Sequence, residues 1–130
     1  MARKESRTTG DAPADFEITR QTQAGDVQVL VVEVRTGDPL DISDRLKQQH
    51  APAAVIVGSR DDGSAQLVIN VDKSLEARGV HAGNVIREAA ALVGGAGGGR
   101  PTMARAGGKQ GERLPEALAE AERLIVAALT

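Results

Sequence analysis

The segment 94–111 reads GGAGGGRPTMARAGGKQG and holds eight of the chain's fifteen glycines, three cations (Arg100, Arg105, Lys109) and no acid. Glycine loses more backbone entropy on folding than any other residue, so this density costs stability unless a close approach or a positive φ requires it. The composition therefore points to a guest that comes close to the backbone. A phosphate or ribose chain fits: bare peptide N–H groups and helix N-termini attract it, and Arg100, Arg105 and Lys109 neutralise it. The competing reading is a mobile connection between two helices. Three cations and the spaced apolar residues Pro101, Met103, Ala104 and Ala106, consistent with a short strand between two glycine clusters, favour an ordered binding loop.

Named nucleotide motifs fail here. Gln110 stands where a P-loop needs Ser or Thr, and no glycine lies five residues before Gly108. The residue three after Gly97 is Arg100, and the segment follows a helical pattern where the dinucleotide fingerprint requires a strand.

No other cluster makes a convincing reactive site. Asp41, Asp44 and His50 have the elements of a metal set, but Asp41 suits the positive end of a helix and His50 falls at a helix end. Asp61 and Asp62 are adjacent turn residues that point apart. His81 precedes a helix, which makes it a cap or a surface residue. No serine or carboxylate is spaced to form a triad with it, and there is no cysteine to serve as a nucleophile. No catalytic residue, metal or cofactor is assigned. Lys73, Arg78 and Arg87 read as solvated charges that would widen a basic face beside the loop.

The elements that must position this loop follow from periodicity. Phe16 and Ile18 alternate with polar neighbours before Gly25-Asp26, and 27–34 (VQVLVVEV) is β-branched on both parities. This predicts a strand, a tight turn and a central strand covered on both faces. Asp38-Pro39 predicts a helix start, with the helix running over 39–49 until Pro52, followed by a strand over 53–59 in a parallel crossover. Asp61-Asp62-Gly63-Ser64 predicts a hairpin turn into an antiparallel strand over 66–71, where Val68 breaks the alternation. A loop or short helix over 72–78, a helix over 83–93 stopped by Gly94, and a last helix over 114–129 complete the chain. The fold class is α/β: a compact mixed sheet of about five strands with helices packed on it and a Gly-rich loop before the C-terminal helix.

The 130 residues suffice for one domain with an ordinary core, expected over 15–130, and 1–14 reads as a polar tail or linker remnant. Phe16 is the only aromatic residue, which excludes stacking on aromatic platforms. A net charge of −2 means that any nucleic-acid binding must come from a local patch. No membrane span or signal peptide is seen, and the expected location is the cytoplasm.

Gly97-Gly98-Gly99-Arg100-Pro101 followed by Ala104-Arg105-Ala106-Gly107-Gly108-Lys109 resembles the C-terminal domain of alanyl-tRNA synthetases, part of the wider DHH-associated family. The resemblance extends over about 15–130. It implies a non-catalytic tRNA-binding module that contacts the elbow of tRNA(Ala) through Gly97, Gly98, Gly99, Arg100, Arg105, Gly107, Gly108 and Lys109, with Lys73, Arg78 and Arg87 as additional contacts. The partners implied are tRNA(Ala) and the catalytic and editing domains of a parent synthetase, with homodimerisation in some members. The chain departs from the family at Arg105, where members commonly carry Gln, and at Gln110, where they carry an acid. The alternatives are an assembly domain, and the oligonucleotide-holding domain of a DHH-type phosphoesterase whose chemistry would sit elsewhere.

Overall fold

A computed structural model describes residues 15–129, so the expected tail over 1–14, with Arg3, Lys4 and Arg7, lies outside the described residues. The chain runs β1 (Asp15–Ala24), β2 (Val27–Thr36), α1 (Pro39–Gln49), β3 (Ala53–Asp61), β4 (Ser64–Val71), a 3₁₀ turn (Lys73–Arg78), α2 (Ala82–Leu92), β5 (Gly95–Gly99), β6 (Met103–Gly108), a short 3₁₀ turn (Gly111–Arg113) and α3 (Leu114–Leu129). The six strands form one sheet in the order β1-β2-β3-β4-β6-β5. Among the described residues only β2 and β3 pair in parallel, joined by α1 as the crossover.

The two parities of β2 feed two different cores. Val27, Val29 and Val31 pack with α2 and α3 on one face, and Leu30, Val32 and Val34 pack with Ile42 and Leu46 of α1 on the other. β2 thus sits inside the sheet with both faces covered, which explains why it reads as a continuous apolar run. α1 starts where Asp38 accepts a hydrogen bond from the Leu40 N–H at 3.0 Å, with Pro39 in its first turn, and His50 closes it. The turn between β3 and β4 places Asp62 at φ 55° and Gly63 at φ 85°, the positive pair that a two-residue hairpin demands. Val68, which breaks the alternation of β4, faces the α1 core at 3% exposure.

β1 is tied to α3 by a polar clasp. Glu122, at 7% exposure, accepts from the Arg20 guanidinium at 2.8 Å and from the Thr22 hydroxyl at 2.8 Å. Glu122→Ala leaves the half-buried Thr22 hydroxyl unpaired and should cost about 1 kcal/mol in urea unfolding, because Arg20 stays solvated. No helix among the described residues is long and apolar enough to cross a membrane.

The segment expected as a loop is a hairpin. β5 and β6 pair antiparallel from Gly95↔Gly108 to Gly99↔Ala104, and β6 extends the sheet beyond β4. One of its strands matches the expected short strand; the other, β5, is glycine and alanine alone. With almost no side chains, β5 has no parity for a periodicity argument to detect.

Candidate nucleic-acid interface

The hairpin is anchored at both ends by backbone. At its turn, the carbonyls of Pro101 and Arg100 accept from the N–H groups of Ala82 and Gly83 at 2.8 and 3.1 Å, and the Thr102 carbonyl accepts from Val71 at 2.8 Å. At its exit, Gln110 N–H donates to the Val93 carbonyl at 2.9 Å and Gly111 N–H donates to Gly63 at 2.8 Å. The N-terminus of α2 is therefore used internally. Its first two amides cap the hairpin turn, and the third, Asn84, donates to Nδ1 of its N-cap His81 at 3.1 Å. The idea that a helix N-terminus draws the guest does not apply to α2, while the capping role expected of His81 does.

The glycines divide into two sets. A Cβ on Gly97 would fall on Ala106, and one on Gly108 would fall on the Val93 carbonyl. On Gly99 it would lie 2.6 Å from the Ala104 Cα, and on the α2 residue Gly83 it would lie 2.6 Å from the Gly99 carbonyl oxygen. These glycines are required by the chain's own packing of β5 between β6 and α2. Gly98 and Gly107 are different: a Cβ on Gly98 meets nothing within 4 Å, and on Gly107 only the Ala65 carbonyl oxygen at 3.6 Å. Nothing inside the fold demands glycine there.

Register places these two on one surface. Gly98 pairs with Arg105, Arg105 with Val68, and Gly107 with Gln66 and Ala96, so all of them project to the face that α1 covers. At that end α1 packs mainly over β3 and β4, and on the β5–β6 part of the face Ala96, Arg105 and Gly107 are exposed among the described residues. The result is a flat floor of Gly98, Gly107 and Ala96 with the exposed Arg105 rising from it. Arg100 is exposed at the hairpin turn, and Lys109 is exposed just past the end of β6. The three cations thus frame the floor along its length. β5 is the outer strand, so its free edge carries backbone with no neighbouring strand among the described residues.

Arg87 is exposed on α2. Asn84, Val85 and Glu88 line a cleft of about 280 Å³ against Leu124 and Ala128 of α3. Arg87 stands about 100° around the helix from Glu88 and does not line that cleft. Lys73 is exposed on the 3₁₀ turn. Arg78 is not part of this group. It donates to Asp26 at 2.9 Å in the β1–β2 turn, at the far side of the sheet, and that hydrogen bond holds the Asp26 carboxyl below the usual carboxylate range.

One feature at the border of the open face escaped sequence reasoning. Asn70, 2% exposed on β4, donates to Ser43 Oγ at 3.0 Å and to Asp44 Oδ1 at 2.6 Å, and Ser43 donates to the Leu40 carbonyl at 2.7 Å. The only signal in the sequence is an amide set in the otherwise apolar run 67–71.

The chain belongs to the DHHA1 domain family, which matches residues 25–127. Among its relatives is the alanine–tRNA ligase of Alkaliphilus oremlandii, 37% identical over 93% of this chain and 14% of the ligase. The alanine–tRNA ligase of Natranaerobius thermophilus is 45% identical over 65% of this chain and 10% of the ligase. In structure the chain is similar to the C-Ala domain of Aquifex aeolicus alanyl-tRNA synthetase, with a TM-score of 0.72 and 28% identity, covering 83% of this chain and 99% of that domain. A DHH domain, 11% identical with a TM-score of 0.56, shares the fold. The chain corresponds to a non-catalytic accessory piece and spans about 10–14% of the length of these ligases.

Proposed function

We propose that this chain is a tRNA-binding domain that contacts RNA with the open face of the β5–β6 hairpin. The observation that carries this reading is the pair of glycines, Gly98 and Gly107, that no internal packing requires and that lie on one face with Arg105 between flanking cations. A surface without side chains lets a flat nucleobase or a ribose lie against the backbone, and the cations neutralise the phosphates that come with it. The likeness to the C-Ala domain supports tRNA(Ala) as the RNA and its elbow as the point of contact. On this reading the domain assists aminoacylation and editing in the cytoplasm by holding the tRNA for the other domains of a ligase. Its own affinity is modest, and tethering raises the effective concentration.

The test is a filter-binding titration against tRNA(Ala), another folded tRNA and a single-stranded RNA of equal length, with the unaltered chain and with Arg105→Ala. Folded tRNA should be preferred, and the variant should bind it roughly tenfold more weakly. Equal binding of all three RNAs, or an unchanged variant, would defeat the proposal.

A second reading, assembly of two copies, draws on the half-buried Leu124, Val126 and Leu129 near the end of α3. A single monomeric species by sedimentation at high protein concentration would rule it out.

A further inference from the structure

The row of side chains that crosses the α1 face through Leu30, Val55, Asn70 and Met103 is apolar except at Asn70. Leu30 and Val55 are fully buried and Asn70 is 2% exposed. Burying an amide costs free energy unless its hydrogen bonds are made, and valine at this position would fill the row with no such requirement. Asn70 makes its bonds upward into α1, to Ser43 and to Asp44. Ser43 is buried, but Asp44 is exposed.

The amide therefore grips one oxygen of a carboxylate that stands where α1 ends its cover of the sheet. The adjoining strand, β6, carries Met103 beside Asn70 and Arg105 one same-face step further along. Several other exposed acids meet cations: Asp41 pairs with Arg45, Asp15 with Arg35, and Glu116 with Arg113. Among the described residues, the one polar partner of Asp44 is Asn70. A fixed carboxylate repels phosphate and accepts hydrogen bonds without donating any. Beside a surface that takes RNA, it suits only a part of the RNA that presents a donor.

We propose, resting on the RNA-binding reading above, that Asp44 is a specificity-determining residue of the open face. Its carboxylate accepts a hydrogen bond from a nucleotide donor, either a ribose 2′-hydroxyl or the amino group of guanine, and Asn70 is the positioning residue that fixes it. Arg100, Arg105 and Lys109 then supply attraction to phosphate, and Asp44 supplies the selection.

Charge and selection make opposite predictions for Asp44→Ala. If the surface worked by charge alone, removing an acid would tighten binding to every RNA. The proposal predicts instead that Asp44→Ala binds folded tRNA(Ala) about tenfold more weakly, with single-stranded RNA bound as before or more tightly. The measurement is a binding series with the full chain and tRNA(Ala) carrying single 2′-deoxy or single inosine substitutions across its loops. One substitution should weaken the unaltered protein yet have no further effect on Asp44→Ala; a deoxy position identifies the hydroxyl, and an inosine position identifies the guanine amino group. Asn70→Val, checked for folding by thermal melting, should lose sensitivity at that same position, which a purely structural role would not change. If Asp44→Ala binds tRNA(Ala) as well as or better than the unaltered chain while Arg105→Ala still weakens it, this inference fails and the RNA-binding reading stands. Absence of tRNA binding by the unaltered chain, or no effect of Arg105→Ala, removes both.

Discussion

Gly97→Ala and Gly108→Ala should each cost about 3 kcal/mol or more, and Gly98→Ala should cost almost nothing. All three substitutions add one methyl group within the same hairpin. In the first two the methyl group meets atoms that cannot give way: the Cα and Cβ of Ala106 for Gly97, and the carbonyl of Val93 for Gly108. To relieve either contact, β5 or β6 must leave its register, and with it the backbone bonds that tie the hairpin to α2. At Gly98 the methyl group points into open space. Alanine there also restricts the unfolded chain, so a small gain of about 0.5 kcal/mol is expected. Urea unfolding followed by circular dichroism separates the cases. Wild-type stability in Gly97→Ala would mean that β5 does not pair with β6 as described.

The second large effect concerns binding. The triple variant Arg100→Ala, Arg105→Ala, Lys109→Ala should bind folded tRNA about a hundredfold more weakly at low salt. Its plot of log affinity against log salt should be shallower by about 2 to 3, the value expected when three phosphate contacts are lost at roughly 0.7 to 0.9 each. Arg78→Ala serves as the control: its guanidinium is engaged by Asp26 on the far side of the sheet, and its loss should leave the affinity and the salt slope unchanged. A triple variant with the slope of the unaltered chain would place the phosphate contacts elsewhere.

The legible parts of the fold were those in which side chains report the backbone. The near-continuous apolar run over 27–34 reveals a strand with two buried faces, because valine and leucine occur at both parities. Asp38-Pro39 and Asp62-Gly63 fixed a helix start and a hairpin turn through the φ values and hydrogen bonds that these residues favour. β5 was illegible for the converse reason: its residues carry no side-chain pattern. The glycine segment was recognisable as unusual, but composition could not separate Gly97 and Gly108, which the chain needs for itself, from Gly98 and Gly107, which it does not. That division depends on which residue lies across the ladder, a property of register alone. The Asn70–Asp44 contact was hidden in the same way, since it joins residues 26 apart through the crossing of α1 over β4.

The anchoring of the hairpin turn onto the first amides of α2 has a dynamic consequence. Ala82 and Gly83 lose their acceptors when the turn lifts away, and the turn loses its footing when the first turn of α2 frays. The hairpin and the start of that helix should therefore open and close together, which hydrogen exchange of the Ala82 and Gly83 amides would report. An RNA seated on the hairpin would draw its order partly from that unit, and the helix behind it would stiffen when the RNA arrives.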